Sequence, residues 1–153
     1  MENIDAIPYL TNYLSDGILN TAVETERIPS NLKILVAEDN PMNLKVVQLV
    51  LRPYTAVLDS AENGIIALAK FKSNKYDIIF MDVQMPGMNG YEATKKIRIH
   101  EFENSLNPVE IVAMTANVMK EDIQHCLEIG MNQFLGKPVE RAEMIKIIRL
   151  LPS

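Results

Sequence analysis

The chain has 153 residues, 48% of them hydrophobic and 23% charged, with no Trp and one cysteine, Cys126; that length suits one domain plus an appendage, packed with aliphatic side chains. The net charge is −5 and no Lys/Arg cluster is interleaved with aromatics, which argues against direct nucleic-acid contact. No apolar run approaches the ~20 residues of a membrane span, the start lacks the segments of a signal peptide, and a lone cysteine excludes an internal disulfide, so the cytoplasm is the expected location.

Residues 1–30 read as an extension and 31–153 as the folded domain. Glu2, Asp5, Asp16, Glu24 and Glu26 against Arg27 give the extension a charge of −4. Ile4, Ile7, Leu10, Leu14 and Ile18 recur at helical steps, interrupted by Pro8 and Gly17. A short helix packing on the domain or on a second copy in a homodimer, and a linker, are both open readings.

From Leu32 onward strands and helices alternate, which predicts βαβ units and a parallel sheet. The first strand is Lys33 to Ala37, ending on Glu38 and Asp39; Asn40 and Pro41 then cap and open a helix to Leu51, stopped by Pro53. Thr55 to Asp59 is a poorer strand, and Gly64 leads into a helix ending near Phe71. The third strand, Asp77-Ile78-Ile79-Phe80-Met81-Asp82, is apolar throughout, as a strand buried on both faces must be, and breaks into the turn Pro86-Gly87. Tyr91 to Ile99 reads as helix, followed by a polar loop from Glu101 to Pro108. Val109 to Met114 is the fourth strand, ending on Thr115; Val118 to Ile129 is a helix closed by Gly130. Asn132 to Leu135 is the fifth strand, ending on Gly136, Lys137 and Pro138, with Glu140 to Leu150 as the last helix.

The chemistry-bearing residues stand at the carboxyl ends of these strands: Glu38, Asp39, Asp82, Thr115 and Lys137. With right-handed crossovers and strand order 2-1-3-4-5, strands one and three lie side by side at the switch point, where three carboxylates converge. Like charges that close repel unless a cation lies among them, and an oxygen-ligated Mg²⁺ or Mn²⁺ suits the set. Lys137 and Thr115 add a point charge and a hydroxyl beside Asp82, a pairing suited to a phosphoryl group, with Asp82 as nucleophile. Taken singly, each has a plainer reading: Lys137 as the partner of a buried carboxylate, Thr115 as a cap, Glu38 and Asp39 as a solvated turn.

Val36-Ala37-Glu38-Asp39-Asn40, Met81-Asp82-Val83-Gln84-Met85-Pro86-Gly87-Met88-Asn89-Gly90, Met114-Thr115-Ala116 and Phe134-Leu135-Gly136-Lys137-Pro138 together resemble the receiver domain of two-component response regulators, most of all receivers of hybrid histidine kinases. The resemblance covers Leu32 to about Leu150. It implies a flavodoxin-like α/β fold, a doubly wound five-stranded parallel sheet, and Mg²⁺-dependent transfer of a phosphoryl group from a phosphohistidine onto Asp82. It further implies Asp39, Asp82 and the backbone carbonyl of Gln84 on the metal, with Glu38 acting through water or the metal's outer shell, and Lys137 on the phosphoryl oxygens. Thr115 is then the switch hydroxyl, Phe134 the switch aromatic, and Lys137-Pro138 a cis peptide. Partners would be a histidine kinase or histidine phosphotransfer protein; since nothing follows Ser153, output is expected through another protein.

The departures from the family pattern are small. Glu38 stands where many members have Asp, Phe134 lacks a hydroxyl, and Ala116 leaves the phosphate reachable. Gln84 and Asn117, at the positions that tune phosphate lifetime in the family, are neither acid nor base, so dephosphorylation of moderate to slow rate is expected. A turnover enzyme is not expected: an aspartyl-nucleophile phosphatase would need a second Asp where Gln84 stands. A pseudo-receiver that only binds partners is the remaining alternative. Elsewhere, His100 and His125 lack companions at metal-ligand spacing. Met81, Met85, Met88, Met114, Met119 and Met131 read as core and loop filling, and Lys95-Lys96-Ile97-Arg98 as a solvated helix face.

Overall fold

In the computed structural model the described residues are 30–152, so the expectations for the amino-terminal extension lie outside them. Five strands alternate with five helices: β1 (Leu32–Ala37), α1 (Pro41–Leu51), β2 (Thr55–Ala61), α2 (Gly64–Ser73), β3 (Ile78–Asp82), α3 (Gly90–Glu103), β4 (Glu110–Thr115), α4 (Lys120–Ile129), β5 (Gln133–Gly136) and α5 (Arg141–Arg149). The sheet has the order β2-β1-β3-β4-β5, and every neighbouring pair is parallel.

Alternation along the strands builds two cores. On one face Ile34, Val36, Ile78, Phe80, Val112 and Met114 pack with Val47 and Leu51 of α1 and Met144, Ile147 and Ile148 of α5. The opposite-pointing Leu35, Ala37, Ile79, Met81, Ile111 and Ala113 meet Ala67 and Phe71 of α2, Ala93 and Ile97 of α3 and Cys126 of α4. Because both faces are covered, all five residues of β3 are buried, which is why its sequence is an unbroken apolar run up to Asp82.

Local chemistry sets the element ends. The Asn40 side chain accepts from the amides of Met42 and Asn43, with Pro41 opening α1. Asn63 and Asn89 cap α2 and α3 in the same manner. Gly130, at φ +116°, ends α4 in the left-handed conformation that a side chain would strain.

Three expectations are corrected. α3 runs to Glu103 rather than Ile99, because Glu101, expected in a polar loop, is buried and accepts from the Val109 amide at 2.6 Å. Arg98 is no solvated residue: its guanidinium donates to Gly130 O, Glu101 Oε1, Val109 O and Asn132 Oδ1, all within 2.9 Å, tying α3 to the start of β4 and the α4–β5 turn. α4 begins at Lys120, not Val118; the loop before it has no side-chain cap and leaves Met119 exposed rather than packed, while Met81, Met85, Met114 and Met131 are buried. The remaining strand and helix ends lie within about two residues of their expected positions.

Candidate functional site

The carboxyl edge of the sheet brings together groups distant in sequence. Glu38 follows β1, and its amide is held by the carbonyl of Ala61 at 2.9 Å, so the loop after β1 starts from a fixed point. Its own Oε1 accepts from the Asn40 amide at 3.1 Å, which aims the carboxylate back toward β3. Asp82 ends β3 next door; Oδ1 accepts from the Gln84 amide at 3.1 Å. Glu38 and Asp82 are 1% and 2% exposed, whereas Asp39 faces solvent.

Lys137, at the end of β5, reaches across both buried carboxylates: Nζ lies 2.9 Å from Glu38 Oε2 and 3.0 Å from Asp82 Oδ2. It is anchored through its own amide, which donates to Thr115 O at 2.8 Å, and the peptide bond to Pro138 is cis. Burial alone would lower the lysine pKa, but the ammonium's contacts with the Glu38 and Asp82 carboxylates, which accept from it, outweigh burial and raise the value, so the ammonium stays charged. Asp82 is pushed up to about 7, chiefly by burial, with the Glu38 charge adding to it and Lys137 and the Gln84 amide opposing.

The ligand chemistry of this cluster fits a hard divalent cation. Oxygens of Glu38, Asp39 and Asp82 all lie within 4.8 Å of one another. Three carboxylates facing one ammonium leave an excess of negative charge that a cation with oxygen ligands would neutralise.

The turn after β3 allows close backbone approach. A Cβ on Gly90 would collide with the carbonyl of Asp82, and the Gly90 amide donates to Val83 O at 3.2 Å. Gly64 likewise lets α2 abut the turn: its amide donates to Met88 O at 3.0 Å, where any side chain would clash. In the sequence Gly90 closes the motif that follows Asp82 and Gly64 leads into a helix, but the close backbone approach that each permits is not a local signal.

Of the other sequence-derived residues, Thr115 is buried on β4 beside Asp82, yet its hydroxyl is turned to the backbone of Asn117, accepting from its amide at 3.0 Å and donating to its carbonyl at 3.1 Å. Phe134 lies on β5 and is 40% exposed. Glu38, Asp39, Asp82 and Lys137 are thus assembled, Gln84 touches Asp82 through its amide, and Thr115 and Phe134 stand aside.

A doubly wound α/β sheet with an acidic cluster and a lysine at its switch point belongs to the class of open α/β folds that bind ligands at the carboxyl edge. Residues 34–149 match the response regulator receiver domain family, and the chain belongs to that family. It is 42% identical to hybrid signal transduction histidine kinase L of Dictyostelium discoideum over 134 residues, covering 84% of this chain and 8% of that protein. It is 35% identical to sensor histidine kinase GacS of Pseudomonas protegens over 116 residues, covering 76% of this chain and 13% of that protein. The chain therefore spans only a small part of these relatives.

Among solved structures, the co-crystal of the Saccharomyces cerevisiae histidine phosphotransfer signaling protein Ypd1 and the receiver domain of its downstream response regulator Ssk1 matches with TM-score 0.75 and 34% identity, covering 79% of this chain and 88% of that one. The receiver domain of a sensor histidine kinase from Pseudomonas aeruginosa, with a magnesium ion coordinated in its active site cleft, matches with TM-score 0.70 and 37% identity over 79% of this chain and 97% of that one. The protein is a receiver domain of the two-component phosphorelay type. Among the described residues, no helix is long and apolar enough to cross a membrane.

Proposed function

We propose that this domain takes a phosphoryl group from a phosphohistidine onto Asp82 and, once modified, presents a changed protein-binding surface. The observation that carries the reading is the pairing of a buried strand-end carboxylate, Asp82, with Lys137 inside a three-carboxylate cluster. A carboxylate oxygen of Asp82 attacks phosphorus, the bond from phosphorus to the imidazole nitrogen breaks, and the imidazole leaves with its electron pair and takes up a proton. Lys137, already placed on Asp82 Oδ2, moves its charge onto the phosphoryl oxygens, while its contact with Glu38 keeps it in position. Glu38, Asp39, Asp82 and the Gln84 backbone carbonyl would hold Mg²⁺ or Mn²⁺, which when bound neutralises charge on the incoming group.

The switch residues support the same reading. Turning the Thr115 hydroxyl from Asn117 toward a phosphoryl oxygen would vacate space into which the half-exposed ring of Phe134 moves, biasing the surface of α4, β5 and α5 between two states. The partner is a histidine kinase or a histidine phosphotransfer protein; the hybrid-kinase relatives and the receiver crystallised with Ypd1 support this. Gln84 and Asn117 offer no strong base for water, so the domain acts as a switch that holds its phosphate and not as a turnover phosphatase.

Acetyl phosphate with Mg²⁺ should retard the protein on a phosphate-affinity gel, and Asp82→Ala should abolish the shift. An intact chain that binds Mg²⁺ but never shifts would leave only the binding-module reading.

A further inference from the structure

α3, at 14 residues the longest described helix, carries on its outer face an apolar pair that the described domain leaves uncovered. Ile99 is 57% exposed and Phe102, in the last turn, is 88% exposed. Three residues apart on a helix, they stand side by side as one ridge. Phosphoryl transfer at the carboxyl edge makes no use of it. Exposed apolar residues are ordinary on a surface, so the ridge by itself names no partner.

The charges that flank the ridge do. Lys96 and Glu103 are both exposed and lie seven residues apart, so they share one flank of the helix, Lys96 about a turn before Ile99 and Glu103 about a turn after it. Among the described residues neither is engaged in an ion pair. Two helices packed antiparallel bring like flanks together. The midpoint of Lys96 and Glu103 falls within one residue of the midpoint of Ile99 and Phe102, so a single two-fold axis serves both pairs. About that axis Ile99 of each copy meets Phe102 of the other, and Lys96 meets Glu103 twice.

We propose that the outer face of α3 is a self-recognition surface, on which a second copy of this chain docks its own α3 antiparallel about a two-fold axis between Ile99 and Phe102. Apolar contact supplies the affinity, and the two exposed charge pairs fix direction and register more than strength. One helix pair covers less than the about 1,200 Å² at the low end of stable interfaces, so the dimer is weak and forms only at high protein concentration. Gly90, where α3 starts against the Asp82 carbonyl, is about 14 Å along the helix from Ile99, so pairing leaves the carboxyl edge open to a phosphoryl donor.

Sedimentation equilibrium of the full chain, from micromolar to millimolar concentration, tests this. The average mass should climb from that of one chain toward that of two, and Phe102→Asp should hold it at one chain throughout. Lys96→Glu or Glu103→Lys alone sets like charges opposite each other at both pairs and should weaken dimerisation several-fold, more at low salt than at high. The two exchanges combined should restore the parent dissociation constant, because each pair is then only reversed. All three positions are exposed, and far-ultraviolet circular dichroism checks that each variant keeps its fold. The mass of one chain at every concentration would overturn the proposal. So would a dimer indifferent to Phe102→Asp, or a double exchange no better than either single one, since the contact would then lie elsewhere or run in another direction.

Discussion

Asp82 owes its acidity to where β3 ends. Burial disfavours its ionised form more than Lys137 and the Gln84 amide favour it, and the carboxyl moves from 3.8 to about 7. The folded chain therefore holds this proton more tightly than the unfolded one. By linkage, the group's stabilising contribution is complete below about pH 4 and is lost as pH rises through about 7. In chelator, the urea midpoint should fall across that interval, and Asp82→Asn should flatten the slope and raise the neutral-pH melting temperature by on the order of a few degrees. An identical slope in the variant would show that another group governs it. Lys137→Met strips the cation from two buried carboxylates and should cost about 2 kcal/mol in metal-free protein by urea titration, partly recovered on adding Mg²⁺. No loss would mean that the contacts at 2.9 and 3.0 Å carry no net energy.

At the scale of elements, two devices hold the site without touching phosphate. The turn after β3 lies flush against the Asp82 backbone only because residue 90 has no side chain. Gly90→Ala should destabilise the fold by about 1–3 kcal/mol in chemical denaturation and slow phosphorylation with it; full stability would mean the turn relaxes freely. The second device is the Arg98 fork. Arg98→Met leaves Glu101 buried without its cation and should cost roughly 3 kcal/mol, with Arg98→Lys restoring little, since a single ammonium cannot serve four acceptors spread over three elements. Here the limits of sequence reading have a physical cause. Capping asparagines, the apolar β3 run and its Pro-Gly break are local signals, so the elements and the strand-end acids were legible. Arg98 was not, because three of its four acceptors lie 11, 32 and 34 residues away and the fourth, Glu101 three residues on, itself read as part of a polar loop.

At the scale of the molecule, the parallel sheet separates two edges, one gathering Glu38, Asp39, Asp82 and Lys137, the other opening a cavity beside Asp77. Chirality of the crossovers made the first edge predictable from strand order alone. Which way the Thr115 hydroxyl points, and that Lys137 bridges two carboxylates at once, depend on rotamers that spacing does not encode. If Gln84 and Asn117 leave water unactivated, phosphate should persist for minutes or longer in purified protein, and an acid at position 84 should shorten its lifetime; loss within seconds from the unsubstituted chain would refute that. The most direct measurement is of the phosphorylated atom itself: incubate the domain with a phosphohistidine donor and Mg²⁺, reduce with borohydride, which converts an aspartyl phosphate to homoserine, and map the product by peptide mass spectrometry. Homoserine at position 82 alone is the expected result, and its absence there, or its appearance at Asp39 instead, would contradict Asp82 as the acceptor.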